Sequence, residues 1–320
     1  MTRYNYLLAA FLLLCGGNVA AQQLIEEPLP FGDMNQWITR TVKESAIIGG
    51  NSKNVYEIAP TDAYQSNKPY YNQGGSPWAT SNVMAKVVGI VKTNTSVFPE
   101  ERGDGKCARM ETRIEKVRVF GLIDITVLAA GSVFLGAVHE PISGTSNPQK
   151  MLNSGIPFTK MPSALCLDYK VNIVDSPERV KITGFSPKSK VAGKDNAAIV
   201  LLLQKRWEDK DGNIYASRVG THITRFDTSS DWQNKQVLPI QYGDISKQST
   251  FKPYMGLQAE ERYAVNSRGE SVPIKEIRWA SPEEVPTHMI LQFTSSHGGA
   301  YIGTVGNTLW VDNVCLQYIK

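Results

Sequence analysis

The chain of 320 residues is long enough to form one large or two modest domains with a sizeable core. Its composition, 42% hydrophobic and 20% charged, is typical of a globular protein and excludes a disordered chain or a coiled coil. Lys and Arg total 34 against 30 Asp and Glu, which gives a formal charge of +4. The sequence contains no block of basic residues of the kind that binds nucleic acid.

Residues 1–21 have the three parts of a secretory signal peptide. Arg3 supplies the positive start, residues 7–14 the apolar centre, and residues 19–21 the small-residue exit. We therefore expect a protein that is secreted, periplasmic or held at the outer-membrane surface. A lipid anchor at Cys15 is the alternative, because the apolar run leads directly into this cysteine and a glycine.

Residues 22–80 are rich in Pro, Tyr, Asn and Gly and contain too little apolar sequence for a core of their own. We expect them to supply the N-terminal strands and loops of a sandwich that residues 81–320 complete. Residues 120–138 resemble a membrane span in hydropathy, with Asp124 as their only charge. Because glycines interrupt this stretch and β-branched residues fill it, we expect two buried strands joined by a turn, and no transmembrane span.

The remaining chain shows repeated patterns of short strands. Residues 113–119 tend to alternate charged and aliphatic side chains, as a half-exposed strand does. The continuous apolar run of residues 197–203 indicates a central strand that is covered on both faces. Met289, Leu291 and Phe293 fall on one face of a further strand.

Turn-forming residues separate these strand patterns. Asp211-Gly212 and Arg268-Gly269 each separate two strand patterns and predict hairpins. Helical signals are limited to one or two turns at residues 147–152 and 229–232. Since no β-α-β rhythm is present, the sequence predicts an all-β, antiparallel sandwich or barrel.

Three cysteines would remain after removal of residues 1–21, namely Cys107, Cys166 and Cys315. An odd number cannot be fully paired within one chain, so one disulfide and three buried thiols both stay open. The four histidines have no metal-binding spacing.

Several segments occur in an order that is characteristic of one family. They are Pro77–Asn82, Gly131–Gly136, Gly155–Phe158, Met161-Pro162, Asp168–Lys170, Ser295-Ser296 and Gly303–Val314. On these motifs the chain resembles the PCMD family, the "putative carbohydrate metabolism domain" proteins secreted by gut Bacteroidetes. The resemblance implies an antiparallel β-jelly-roll sandwich, similar to galactose-binding-like domains and carbohydrate-binding modules, and a role with carbohydrate.

Sugar recognition needs flat aromatic faces for the ring and amides or charges for the hydroxyl groups. The ligand-binding candidates are Trp78, Asn82, Tyr70, Tyr71 and Tyr169. We expect Trp78 at a sheet rim because it begins a strand. We expect the consecutive residues Tyr70 and Tyr71 in an exposed loop.

Two residues near the C-terminus have different expected roles. Trp310 lies between two aliphatic residues and is expected to pack in the core. Asp312 and Asp33 are candidate ligands for a structural Ca²⁺, since carboxylate oxygens suit a hard cation. The alternative for Asp312 is a turn cap or an ion pair with Lys or Arg.

A glycoside hydrolase would need two carboxylates that face each other across a cleft. Asp124, flanked by apolar residues, and Asp168, beside Tyr169, are the candidates for a shifted pKa. A buried ion pair of Asp168 with Lys170 or an arginine is the alternative. No nucleophile elbow or other catalytic motif is present.

These observations favour an exported carbohydrate-binding jelly roll that assists glycan capture or utilisation, with an oligo- or polysaccharide as its partner. A glycoside hydrolase on the same scaffold is the first alternative. A surface structural or adhesin-like module that binds a protein is the second.

Overall fold

The computed structural model describes residues 23–71, 74–87, 89–119, 123–144, 147–184, 187–297 and 299–320. Strands dominate these ranges and are numbered in chain order. They are β1 (Leu24–Pro28), β2 (Trp37–Lys43), β3 (Ser52–Ile58), β4 (Asp62–Gln65), β5 (Trp78–Thr80), β6 (Val83–Val87), β7 (Ile90–Asn94), β8 (Val97–Arg102), β9 (Gly105–Glu111), β10 (Arg113–Val119), β11 (Ile123–Ala129), β12 (Ser132–Val138), β13 (Leu152–Ser154), β14 (Ile156–Pro157), β15 (Ala164–Asn172), β16 (Glu178–Lys181), β17 (Thr183–Gly184), β18 (Ser189–Ala192), β19 (Ala197–Glu208), β20 (Ile214–Phe226), β21 (Ser230–Pro239), β22 (Gln241–Tyr242), β23 (Tyr263–Val265), β24 (Ser271–Trp279), β25 (His288–Thr294), β26 (Ile302–Gly303) and β27 (Thr308–Ile319). The helical segments in the same ranges are short 3-10 turns at Ala46–Ile48, Pro148–Met151 and Pro253–Met255.

Two large sheets form the body of the fold. Sheet I has the strand order β21-β15-β27-β9-β8, and β1 pairs with β27. Sheet II has the order β13-β12-β25-β19-β20-β24-β23, and β5, β14 and β22 pair with its strands. Leu165 and Val311 of sheet I and Leu201 and Phe293 of sheet II are buried in one main core. The predicted all-β sandwich is therefore confirmed.

The pairing is antiparallel with two exceptions among the described strands. β2 pairs with β4 in parallel, and β20 pairs with β24 in parallel. Smaller sheets pack around the body, formed by β3-β2-β4, β6-β7, β10-β11-β17 and β18-β16-β26.

Residues before position 80 share the main core. Trp37 of β2 and Ile58 of β3 are buried in the same cluster as the inner side chains of the two large sheets. Arg40 of β2 forms a buried ion pair with Glu140, which follows β12, with 2.6 Å between Nη2 and Oε1.

Both predicted hairpins are confirmed. β19 and β20 pair on either side of Asp211-Gly212, and β23 and β24 pair on either side of Arg268-Gly269. The predicted burial of β19 on both faces is also confirmed. Leu201 lies in the main core, whereas Leu202 lies in a second apolar cluster on the far side of sheet II.

One local prediction is wrong and another is only partly right. Residues 229–232 lead into β21 instead of a helical turn, because their backbone pairs with β15 and sheet pairing outweighs a weak local preference. Strands do occur on both sides of Gly131, but β11 pairs with β10 and β17 whereas β12 pairs with β5, β13 and β25.

Some sequence predictions fall on parts of the chain that the structure does not describe. Residues 1–21, including Cys15, lie outside the described residues, and so does the side chain of Asp124 in β11. Within the described ranges, no helix has the length and apolar character needed to cross a membrane.

Candidate functional site

The side of sheet I that faces away from the main core carries aromatic and charged side chains together. Aliphatic residues at alternate positions of β15 and β27 are buried in the core, so the side chains between them point to the opposite side. We call this side the outer face. Its residues are Phe98, Arg102, Arg109, Asp168, Lys170, Trp232, Trp310 and Asp312.

Two carboxylates lie on the outer-face side of sheet I, and each residue is only 6% exposed. Asp168 of β15 and Asp312 of β27 are directly opposite partners across the two strands. Arg102 at the end of β8 reaches both, with 2.9 Å from Nη2 to Oδ2 of Asp168 and 2.5 Å from Nη1 to Oδ2 of Asp312. The guanidinium therefore compensates two like charges that the register brings together.

A β-bulge produces this arrangement. The pairing of β15 with β27 shifts register between Cys166 and Asp168, and Asn313 on the opposite strand has a φ of 52°. The Asn313 side chain donates to Oδ2 of Asp168 at 2.9 Å, and its backbone N–H donates to Oδ1 of Asp312 at 2.8 Å. Bulges commonly redirect side chains in this way.

The two carboxyl groups differ in their electrostatic environment. Burial by itself raises the pKa of Asp168, but hydrogen bonds from Lys235 N–H, Asn313 and Arg102 outweigh burial and lower the pKa below its ordinary value. Burial raises the pKa of Asp312, and the bonds from Arg102 and Asn313 offset only part of that effect. Asp168 is therefore the more strongly ionised of the pair.

Aromatic rings flank these carboxylates. The Arg102 guanidinium carbon lies 3.7 Å from the centroid of the half-buried Trp232 ring. Trp310, also half-buried, donates its indole N–H to Oε1 of Glu100 at 2.9 Å, and Lys170 Nζ lies 5.4 Å from its ring centroid. Cation–π contacts of this kind hold indole rings in fixed orientations at a surface.

Sequence reasoning missed these two tryptophans as site residues. Trp310 was expected in the core, and the structure corrects this, because its neighbours Leu309 and Val311 occupy the core side of β27. Period-two alternation along the last strand was the signal that would have found it. No comparable local signal exists for Trp232, whose contact with Arg102 joins distant parts of the chain.

Trp78 and Asn82 are buried, in contrast to the expected sheet rim. Trp78 is 3% exposed, stacks on Phe293 at a centroid distance of 6.1 Å, and donates its indole N–H to the Pro30 carbonyl at 2.7 Å. Asn82 is 1% exposed and bonds only to backbone groups through its side-chain amide.

The three candidate tyrosines lie in different environments. Tyr71 is 71% exposed, as a loop residue should be. Tyr70 is half-buried, and its ring centroid lies 5.7 Å from the Arg40 guanidinium carbon. Tyr169 packs against Phe226 on the core side of β15, with ring centroids 4.8 Å apart, and burial raises its pKa.

A small pocket brings Trp78, Asn82 and Tyr70 together with two glutamates, Glu57 and Glu140. Its volume is about 330 Å³ including the opening to solvent. Burial raises the pKa of Glu57 well above its ordinary value, and the charge of Glu140 adds to this effect.

Protein groups already occupy the oxygens of Glu140. They accept hydrogen bonds from the Arg40 guanidinium and from the backbone N–H groups of Tyr70 and Met84. The Glu140 carboxylate thus joins β2 to the end of β12, and it presents no free lone pair to a ligand in this conformation.

The two calcium candidates, Asp33 and Asp312, have different hydrogen-bond and ion-pair partners. Asp33 is exposed, and its carboxylate accepts a hydrogen bond from the Asn35 side chain at 3.1 Å. Asp312 is bonded to Arg102, which matches the alternative role considered for it. Among the described residues, no three His, Cys, Asp or Glu side chains are grouped to hold a metal ion.

The fold and the outer face define an all-β sandwich that presents aromatic rings beside carboxylate, guanidinium and amide groups. The chain belongs to the putative carbohydrate metabolism domain (PCMD) family, whose model matches residues 51–317. The family resemblance stated from the sequence is thereby confirmed.

Two solved structures are similar to the chain over most of its length. One, from Bacteroides thetaiotaomicron, is described as a putative glycoside hydrolase; it is 18% identical with a TM-score of 0.42, and the match covers 84% of this chain and 81% of that chain. The other, from Bacteroides vulgatus and described in the same words, is 15% identical with a TM-score of 0.42, and the match covers 93% and 98%. No curated protein matches the chain.

Proposed function

We propose that the protein binds carbohydrate on the outer face of sheet I. The observation that carries this proposal is the position of Trp232 and Trp310 on the same sheet face as Asp168, Asp312 and Arg102. Membership of a carbohydrate metabolism family supports the ligand class.

The chemistry of the outer face suits a neutral sugar. Indole rings offer a flat apolar surface to the C–H side of a pyranose, while carboxylates and amides bond its hydroxyl groups. Arg102, Arg109 and Lys170 alternate with Glu100, Asp168 and Asp312 across the face, so no excess of one sign favours a charged glycan. Uncharged hydroxyl-rich oligosaccharides are therefore the proposed ligands.

The signal-like residues 1–21 support an exported protein that assists glycan capture, at the cell surface or in the periplasm. An exposed sheet face suits this role, because a long polysaccharide can lie across it without entering a closed pocket. A rigid sandwich also keeps the two indole rings at a constant spacing.

A glycan array followed by calorimetry with the purified protein tests this proposal. Trp310→Ala and Trp232→Ala are each expected to weaken binding of the best glycan about tenfold, a loss of about 1.4 kcal/mol. The matched control is Trp207→Ala. Trp207 is 41% exposed and stacks on Tyr215 in the β19–β20 hairpin of sheet II, so its loss should leave the affinity unchanged.

Two outcomes would count against the proposal. One is the absence of any bound glycan at high protein concentration. The other is unchanged glycan affinity in both outer-face variants, which would show that the binding site lies elsewhere on the protein. Capture of a protein partner that is independent of added sugar would favour the adhesin-like alternative.

Glycoside hydrolysis is the second candidate, and the Asp168–Asp312 pair favours it. Asp168 and Asp312 are directly opposite in an antiparallel pair and both bond the Arg102 guanidinium, so their carboxyl groups lie close together. Retaining hydrolases hold their two carboxyl groups at roughly 5–5.5 Å. The raised pKa of Asp312 suits a proton donor, and the lowered pKa of Asp168 suits a nucleophile.

Release of reducing sugar from the bound polysaccharide separates the two functions. A hydrolase would lose this activity in Asp168→Asn and in Asp312→Asn while Glu57→Gln, which alters the small pocket, retains it. Binding without any release of reducing sugar by the unaltered protein would exclude hydrolysis of that glycan and leave the binding role.

A further inference from the structure

Two of the three thiols in the described chain are directly opposite each other. Cys166 of β15 and Cys315 of β27 are paired residues in the antiparallel register, and each thiol influences the pKa of the other. Cys107 lies on β9 opposite Glu100 of β8, apart from this pair. All three thiols are free in the structure.

The backbone geometry at this pair fits a covalent bond between the sulfurs. Leu165 and Leu167 point into the main core, and so do Val314 and Leu316, so both thiols point to the opposite side of sheet I. Directly opposite residues in an antiparallel pair have Cα atoms about 4.5–5.5 Å apart. This spacing lies within the range of about 4.4–6.8 Å that disulfides span without backbone movement.

We propose that Cys166 and Cys315 are the site of a cross-strand disulfide, formed by exchange with a small disulfide such as oxidised glutathione. In the first step, the Cys315 thiolate attacks the small disulfide, forming a mixed disulfide and releasing one thiolate. In the second step, the Cys166 thiolate attacks the Cys315 sulfur and releases the second thiolate. The two cysteines are oxidised together, and the small disulfide is reduced to two thiols.

The order of these steps follows from the two environments. Cys315 is half-buried whereas Cys166 is buried, so an external disulfide reaches Cys315 first. Burial raises the pKa of Cys166 to about 12, with the neighbouring Cys315 adding to the effect. Burial also raises the pKa of Cys315, but the adjacent Cys166 acts in the opposite direction and favours the Cys315 thiolate. Exchange should therefore become faster as the pH rises.

The cross-link would close a loop of nearly half the chain, from the start of β15 to the end of β27. Cross-links that close long loops restrict the denatured chain most strongly, and these two strands are central in sheet I. The link would also lie directly beside the bulge that positions Asp168 and Asp312. It would therefore stabilise the register on which the outer face depends.

The test starts from fully reduced, folded protein incubated with oxidised glutathione at about pH 8.5. After an acid quench, the protein is unfolded, its free thiols are alkylated, and its peptides are mapped without reduction. The expected product is one linked peptide pair containing Cys166 and Cys315, lighter by two hydrogen atoms than the two separate peptides, with Cys107 alkylated.

Cys107→Ala is the matched control and should give the same linked peptides. The denaturation midpoint should rise on oxidation in the unaltered protein and in Cys107→Ala, but not in Cys315→Ala. Alkylation of both Cys166 and Cys315 after prolonged incubation would overturn the proposal, as would linkage through Cys107. The peptide map of the unaltered protein decides the matter even if Cys315→Ala fails to fold.

Discussion

Asp168 and Asp312 face each other across neighbouring strands and share the guanidinium of Arg102. Two carboxylates in this position repel each other unless a cation or a proton intervenes. Arg102 supplies the cation, and its guanidinium also lies over the ring of Trp232. The central part of the outer face is thus one connected cluster, whose members belong to strands far apart in sequence.

Replacement of Arg102 by Met should therefore destabilise the protein by about 3 kcal/mol, because it leaves two buried carboxylates without a counter-ion. Denaturation by urea measures this change. Adding Asp312→Asn should recover part of the loss, since it removes one of the two like charges. Arg109→Met is the control, because Arg109 pairs with the more exposed Glu100 and Glu111 and should cost less than about 1 kcal/mol. Equal effects of the two arginine changes would contradict this account.

Asn82 is predicted to be a structural residue. Its amide donates to the carbonyls of Tyr56 and Val97 and accepts from the N–H groups of Ser96 and Val97. Asn82→Ala removes the partner of the Ser96 N–H and of the Val97 N–H and carbonyl, and should cost about 3 kcal/mol of unfolding free energy. The exposed Asn54 is the control, and Asn54→Ala should change stability by less than about 0.5 kcal/mol. A stable Asn82→Ala protein that has lost glycan binding would instead make Asn82 a ligand residue.

Asp195 is predicted to hold the motif segment Gly303–Val314 in place. Its buried carboxylate accepts hydrogen bonds from Ser296 Oγ at 2.9 Å, Thr304 N–H at 2.7 Å and Asn307 Nδ2 at 3.1 Å. Asp195→Ala should destabilise the protein by about 3 kcal/mol and accelerate hydrogen exchange at the Thr304 amide. Unchanged exchange at that amide would show that other contacts hold the segment.

His288 should make stability depend on pH in a defined window. Burial and then the charge of Arg206 lower the pKa of His288 from 6.5 to about 4. Between these values the unfolded chain binds a proton that the folded protein does not, so stability falls as the pH drops from 6.5 towards 4. Above 6.5 the imidazole is neutral in both states and contributes no slope.

The urea midpoint at a series of pH values checks this prediction. His288→Gln should flatten the decline in that window, because glutamine does not titrate. His139→Gln is the control: His139 is exposed, and its replacement should leave the pH dependence as it is. A decline of the same steepness in the His288→Gln protein would assign the effect to other groups.

The fold class was readable from local patterns because strands and turns leave short-range signals. The apolar run of β19 and the Asp211-Gly212 turn after it predict a central strand and a hairpin without knowledge of the rest of the chain. The pairing of strands that no tight turn joins was not readable from local patterns. β11 and β12 are neighbours in sequence, yet they lie in different sheets because each pairs with strands from other parts of the chain.

For the candidate site, too, the sequence shows local features, whereas contacts between distant residues appear only in the structure. By itself the sequence determined an all-β chain with abundant aromatic residues and motifs of a carbohydrate-related family. Only the tertiary structure decided which aromatic residues face solvent, because burial depends on partners that are distant in sequence. Trp78 is enclosed by Pro30 and Phe293, whereas Trp232 meets Arg102 on an open sheet face.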